Sequence, residues 1–116
     1  MRFEPARYKR FERTPIGCFE AHMTANGWAE TKYVNDTSSV LFSSELSEFI
    51  RLVEFFFKQS PDWLKLDKYA KKYGKKIPGD GYTETYAINF ICEQMDYTIH
   101  ISGNTINVFP YRKFQH

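Results

Sequence analysis

Two glycine-containing dipeptides limit how this chain can fold. Asn26-Gly27 divides residues 18–25 from residues 28–35, and Gly103-Asn104 divides residues 97–102 from residues 105–109. Asn-Gly and Gly-Asn are two-residue hairpin loops, because glycine and asparagine reach the positive φ that the twist of paired antiparallel strands demands. With Asn26-Gly27 as a loop, Ala25 faces Trp28, Met23 faces Glu30, Phe19 faces Val34, and Glu20 faces Tyr33. Strand alternation then predicts an apolar face of Phe19, Ala21, Met23, Ala25, Trp28 and Val34, and a polar face of Glu20, His22, Thr24 and Thr31. In the second hairpin Ile99 and Ile101 pair with Val108 and Ile106 on the core face, His100 and Asn107 fall opposite, and Pro110 ends the strand.

Between the hairpins the pattern is helical. Ser44 is an N-cap candidate, with Glu45 and Glu48 in the first turn to meet the helix dipole, and the helix is predicted to run to about Gln59. Its polar positions Ser47, Arg51, Glu54 and Lys58 make one narrow stripe, while Leu46, Phe49, Ile50, Leu52, Val53, Phe55, Phe56 and Phe57 are apolar. A helix apolar over most of its circumference is buried on several sides, by its own domain or by a second copy in a homodimer. Ser60-Pro61-Asp62 restarts a second helix and Gly74 stops it. Residues 75–81 read as a loop, residues 82–92 as an alternating strand with Tyr82, Tyr86, Ile88, Phe90 and Cys92 on one face, and residues 40–42 as a short third strand.

The order β-β-(β)-α-α-β-β-β predicts an α+β fold, an antiparallel sheet of about five to six strands with two helices packed on one face. A chain of 116 residues makes one domain. It comprises an arm at 1–15, a hairpin or meander at 16–42, a helical pair at 44–73 and a meander at 82–110. Phe3, Tyr8 and Phe11 are the residues that would tie the arm down. The two cysteines, Cys18 and Cys92, read as reduced, half-buried thiols of a cytoplasmic protein, and no apolar run has the length of a membrane span.

His22-Met23-Thr24 and His100-Ile101-Ser102 both read His-x-hydroxyl, with the imidazole and the hydroxyl on one strand face away from the core. If the two hairpins share a sheet, His22 and His100 become a general base and a general acid, with Thr24 and Ser102 holding phosphate oxygens. This arrangement resembles the paired His-x-Thr/Ser triplets of the two-histidine phosphoesterases, over six residues. The resemblance implies cleavage of RNA-type phosphodiesters or cyclic phosphates. The histidines and cysteines lack the close pairs of a zinc site, so neither metal nor cofactor is expected.

Two binding readings compete with the enzyme. Aromatic residues make up 18% of the chain, enough to place rings at a partner interface. In the leading reading the chain is a non-catalytic protein-binding module. It resembles small inhibitors, toxin-immunity proteins or phage counter-defence proteins in size and composition, and Glu20, Trp28, Tyr33, Tyr82 and Phe109 are its contact residues. The net charge of +2 suits a neutral or acidic target, or one bound through apolar contacts. In the other reading Lys68, Lys71, Lys72, Lys75 and Lys76 contact the phosphates of a single-stranded nucleic acid, although a pI near 8.5 is modest for that task.

Overall fold

The computed structural model describes residues 3–24, 27–28, 32–35, 41–59, 63–78 and 84–113. Its elements are β1 (Pro5–Ala6), β2 (Gly17–Thr24), β3 (Gly27–Trp28), β4 (Lys32–Asn35), α1 (Ser43–Gln59), α2 (Trp63–Tyr73), β5 (Lys75–Ile77), β6 (Thr85–Ile91), β7 (Met95–Ser102) and β8 (Thr105–Arg112). The strands form one antiparallel sheet in the order β1-β6-β7-β8-β2-β3, with β4 also paired to β2 and β5 also paired to β6. The α+β architecture is the one the sequence predicts.

The C-terminal hairpin forms as expected. Ser102 pairs with Thr105, and Gly103 takes a φ of 57° while no other described residue has a positive φ. That combination is the II′ turn, with glycine at its first central position. Alternation from this closing pair explains why Pro110 does not end β8. Hydrogen-bonded and non-hydrogen-bonded pairs alternate from Ser102–Thr105, so Pro110 opposite Tyr97 falls on a non-hydrogen-bonded pair. Its missing N–H costs β7 nothing, and its carbonyl points away to accept the Ile16 amide at 2.8 Å.

The N-terminal hairpin departs from its expected register. Thr24 pairs with Gly27, so Gly27 belongs to β3 rather than to the loop. Farther out, Cys18 pairs with Val34 and Phe19 with Tyr33. Two residues on β2 are matched by three on the returning side between these ladders, so the register moves by one. The closing pair is two residues from the expected register, and the extra residue restores one of them, so the outer ladder is off by one. Ala25, Asn26, Glu30 and Thr31 lie outside the described residues.

Three other boundaries differ. Leu41 and Phe42 are not in a strand, and Val40 lies outside the described residues. The cap of α1 is Phe42, not Ser44. The Phe42 carbonyl accepts the Leu46 amide at 2.9 Å, and the Glu45 carboxylate reaches back to accept the Phe42 amide at 2.9 Å. This is the glutamate half of a capping box. Lys75–Ile77 is an edge strand where a loop was expected. Gly74 delivers it there, because the chain turns so tightly between the end of α2 and β6 that a Cβ would lie 2.6 Å from the Ala70 carbonyl of the helix and 3.0 Å from Ile88 of the strand. Lysines on so short an edge discourage further strand pairing. Residues 60–62 and 79–83 are outside the described residues, with the expected cap of α2 and Tyr82 among them.

The two faces of the sheet are covered differently. On one, Phe19, Ala21, Ile88, Phe90, Tyr97, Ile99, Ile101, Ile106 and Val108 meet Phe49, Leu52, Val53 and Phe56 of α1 and Leu66 and Ala70 of α2. Phe56 sets its ring edge-on to Phe90 at 5.5 Å and to Tyr69 at 5.9 Å. Two carboxylates are buried with this core. Glu48 accepts the amides of Gln94 and Met95 and the Tyr97 hydroxyl at 2.7, 3.0 and 3.0 Å. Glu45 is held by Arg112 through two bonds of 2.9 and 3.0 Å.

The opposite face carries the N-terminal arm. The arm starts at the sheet edge, where β1 pairs with β6 and Phe3 is buried against Phe55 of α1 on the helix side, and it then crosses to this face, where Phe11 packs on Tyr111 at 4.9 Å. Asn89, buried, donates to the Lys9 carbonyl and accepts from Thr98. Arg13 reaches Asp96 at 2.6 Å and the Arg112 carbonyl at 2.9 Å.

Candidate functional site

The sheet places each candidate of the sequence reading in a definite row. On the face away from the helices, one row runs His22–Thr105–Ser102–Thr85 and the next runs Glu20–Asn107–His100–Ala87. His22 and His100 therefore share a face, as the alternation predicts. They stand two strands and two residues apart, roughly 12 Å between Cα atoms by strand spacing and rise.

Each histidine has its own surroundings. His22 is exposed, with Nε2 at 2.8 Å from Glu20 Oε1 and Nδ1 at 3.0 Å from Thr105 Oγ1. His100 is half-buried with its ring edge-on to Phe109 at 4.9 Å, and desolvation by burial lowers its pKa, which favours the neutral imidazole. Ser102 lies in the row of His22 rather than beside His100 in a shared cleft. Thr24 pairs with Gly27 at the far end of β2. The sheet does not bring the four residues around one phosphate-sized gap.

The proposed contact residues are also dispersed. Glu20 is engaged with His22, and Phe109 lies against His100. The register sets Tyr33 opposite Phe19 rather than opposite Glu20, and Trp28 opposite Met23 rather than Ala25. Tyr82 is outside the described residues.

The lysines are largely occupied within the chain. Lys71 pairs with Asp67 at 3.0 Å and Lys76 with Glu84 at 3.1 Å. The Lys72 ammonium lies 5.1 Å from the centre of the Tyr73 ring, and that of Lys75 lies 5.9 Å from the Tyr8 ring. Lys75 and Lys76 are neighbours on β5, so they point to opposite faces. Lys68 is exposed beside a groove that Phe3, Phe55, Tyr69 and Tyr73 also line.

Neither thiol is poised to react. Cys18 is on the outer face near Asn107, while Cys92 sits at the core side of the sheet, and both are free. Burial and the neighbouring Glu48 push the Cys92 thiol up to about 12, and burial raises Cys18 as well. Both therefore remain protonated at neutral pH. Among the described residues no group of three His, Cys, Asp or Glu side chains is placed to hold a metal ion. No helix among them is long and apolar enough to cross a membrane.

The structure adds a surface that the sequence reading did not single out. Phe42, Leu46 and Ile50 follow one another at intervals of four and are 65%, 45% and 46% exposed. Their spacing puts them in one line along α1. Exposed Ser47, Arg51 and Glu54 border this line. The Arg112 guanidinium lies 4.9 Å from the centre of the Phe42 ring while it holds Glu45, which steadies the first turn beneath the stripe. The signal was present in the sequence, where a core helix uses one stripe and this one carries two. Comparison of the chain with protein-family models, with curated proteins and with solved structures finds no match in any of the three.

Proposed function

We propose that this chain is a non-catalytic protein-binding module, a small inhibitor of the immunity-protein or counter-defence type that acts by stoichiometric association. The observation that carries the reading is the exposed line of Phe42, Leu46 and Ile50 on α1. An amphipathic helix that presents anchors at i, i+4 and i+8 suits an apolar groove on a partner. Apolar anchors inside a polar border have the anatomy of an interface, where a few central side chains supply most of the affinity. Arg51 and Glu54 put both signs of charge on the border, so the partner is selected by apolar fit more than by net charge. The enzyme reading has less support, because His22 is tied to Glu20 and Thr105 while His100 lies in another row.

The test is site-specific photo-cross-linking from position 50, with Leu46→Asp as the control. Support is a single partner captured at 1:1 stoichiometry and lost in Leu46→Asp, while the far-UV circular dichroism of the variant is unchanged. A complex that survives Leu46→Asp sinks the reading. So does turnover of a cyclic phosphate that disappears in His22→Ala and His100→Ala.

A further inference from the structure

The arm does not lie flush on the sheet. A cavity of about 600 Å³ remains between them. Its floor is Thr98, His100 and Tyr111, its roof is the arm from Tyr8 to Pro15, and Ile77 and Pro78 close one side. The volume is in the range of small-molecule sites.

The lining has a marked chemical bias. Arg10 and Arg13 contribute guanidinium groups, Tyr8, Thr14, Thr98 and Tyr111 contribute hydroxyls, and among the described residues no carboxylate lines the cavity. Arg13 is committed, since it holds Asp96 and the Arg112 carbonyl and lies over the Phe11 and Tyr111 rings. Lys113 also approaches Asp96 at 3.8 Å, so that carboxylate is matched by two cations. Arg10 has no hydrogen-bond or ion-pair partner among the described residues, and it lines the same cavity as the Tyr111 hydroxyl. The remaining walls are flat, formed by Tyr8, Phe11, Pro15 and Pro78. The floor is rigid, because Thr98 bonds to Asn89 and Asn89 to the arm backbone.

We infer that this cavity binds a small ligand that combines an aromatic plane with a negative charge, the chemistry of a nucleoside monophosphate. Arg10 meets the charge, the rings and prolines enclose the plane, and the His100 imidazole with the lining hydroxyls supplies the remaining hydrogen bonds. Guanidinium groups suit phosphate because their donors match its oxygens in pairs. The site is separate from the α1 stripe and does not depend on it.

Titration followed by amide chemical shifts tests the inference. The probes are AMP, GMP, CMP and UMP, with adenosine and inorganic phosphate as half-ligands and a ten-nucleotide single strand as competitor. The expected result is saturable shifts at Tyr8, Arg10, Thr98, His100 and Tyr111 with at least one monophosphate. Adenosine and inorganic phosphate should each bind at least tenfold more weakly. Arg10→Ala should weaken monophosphate binding at least tenfold, and because Arg10 is exposed and unpartnered, its thermal midpoint should match the parent. Any one of three results overturns the inference: no shift at these amides with millimolar monophosphate, undiminished binding in Arg10→Ala, or a strand that binds tenfold tighter than every monophosphate.

Discussion

The two faces of this sheet are covered by different physics. The helix side is sealed by hydrocarbon, with Leu52, Phe56, Leu66 and Ala70 almost fully buried against Ile88, Phe90 and Ile99. The arm side is closed by directional bonds between Arg13 and Asp96 and between Asn89 and Lys9, with one ring pair, Phe11 and Tyr111, added. Hydrocarbon burial scales with area and makes unfolding cooperative. A strap held by a few polar contacts opens on its own, because segments with few apolar contacts have the lowest local stability. The comparison shows how a small domain keeps a stable body and an adjustable lining on opposite sides of one sheet.

The strongest challenge to this contrast is Phe56→Ala. Loss of a ring that is 1% exposed and packs on Phe90 and Tyr69 should cost about 4 kcal/mol, seen as a shift of the whole urea transition. A smaller effect comes from the other face. Arg13→Ala leaves Asp96 buried without its closest cation and should cost about 2 kcal/mol. Here the diagnostic readout is hydrogen exchange. The Ile16 amide should lose protection while amides in the middle of β7 keep theirs. Equal loss in both places would mean that the arm and the body are one cooperative unit.

Acid tests the electrostatic corner of the helix side and gives the smallest effect. Burial alone would raise the Glu45 carboxyl, but the Arg112 pair and the Phe42 amide outweigh it and hold the folded value below the usual 4.5. A carboxyl lowered by folding stabilises fully above its unfolded pKa, and that contribution disappears as the pH falls through the folded value. Between pH 7 and pH 3 the parent should therefore lose more stability than Glu45→Gln. Parallel losses in urea titrations would show that the Arg112 pair contributes nothing net.

How much of this was legible in the residues varies from place to place. The hairpin at Gly103-Asn104 was readable because loop chemistry and strand alternation gave the same register. The Asn26-Gly27 hairpin misled because Gly27 is drawn into β3, which moves the closing pair two residues from the expected register, and the extra residue on the returning side restores only one of them. The sequence reads Glu45 and Glu48 as first-turn partners of the helix dipole. In the structure positions 45, 48, 49, 52, 53 and 56 form the buried stripe, and the sequence does not single it out because Leu46, Phe49, Ile50 and Val53 make a second stripe of the same period. The shared face of His22 and His100 was legible from period two, whereas their separation depends on the strand order β7-β8-β2. The cavity beneath the arm was not legible at all, because it arises where an aperiodic segment crosses a sheet.

Glu48 has a further consequence, for the order in which the chain assembles. Its carboxylate joins α1 to backbone amides 46 and 47 positions later, across the whole of α2 and β6. Closing so long a loop is entropically costly, so this lock forms only after neighbouring elements have brought its ends together. Interactions made after the rate-limiting step leave the folding rate almost unchanged and slow the reverse reaction. Glu48→Gln should therefore speed unfolding while leaving the folding rate almost unchanged, and an equal change in the folding rate would place this lock in the transition state.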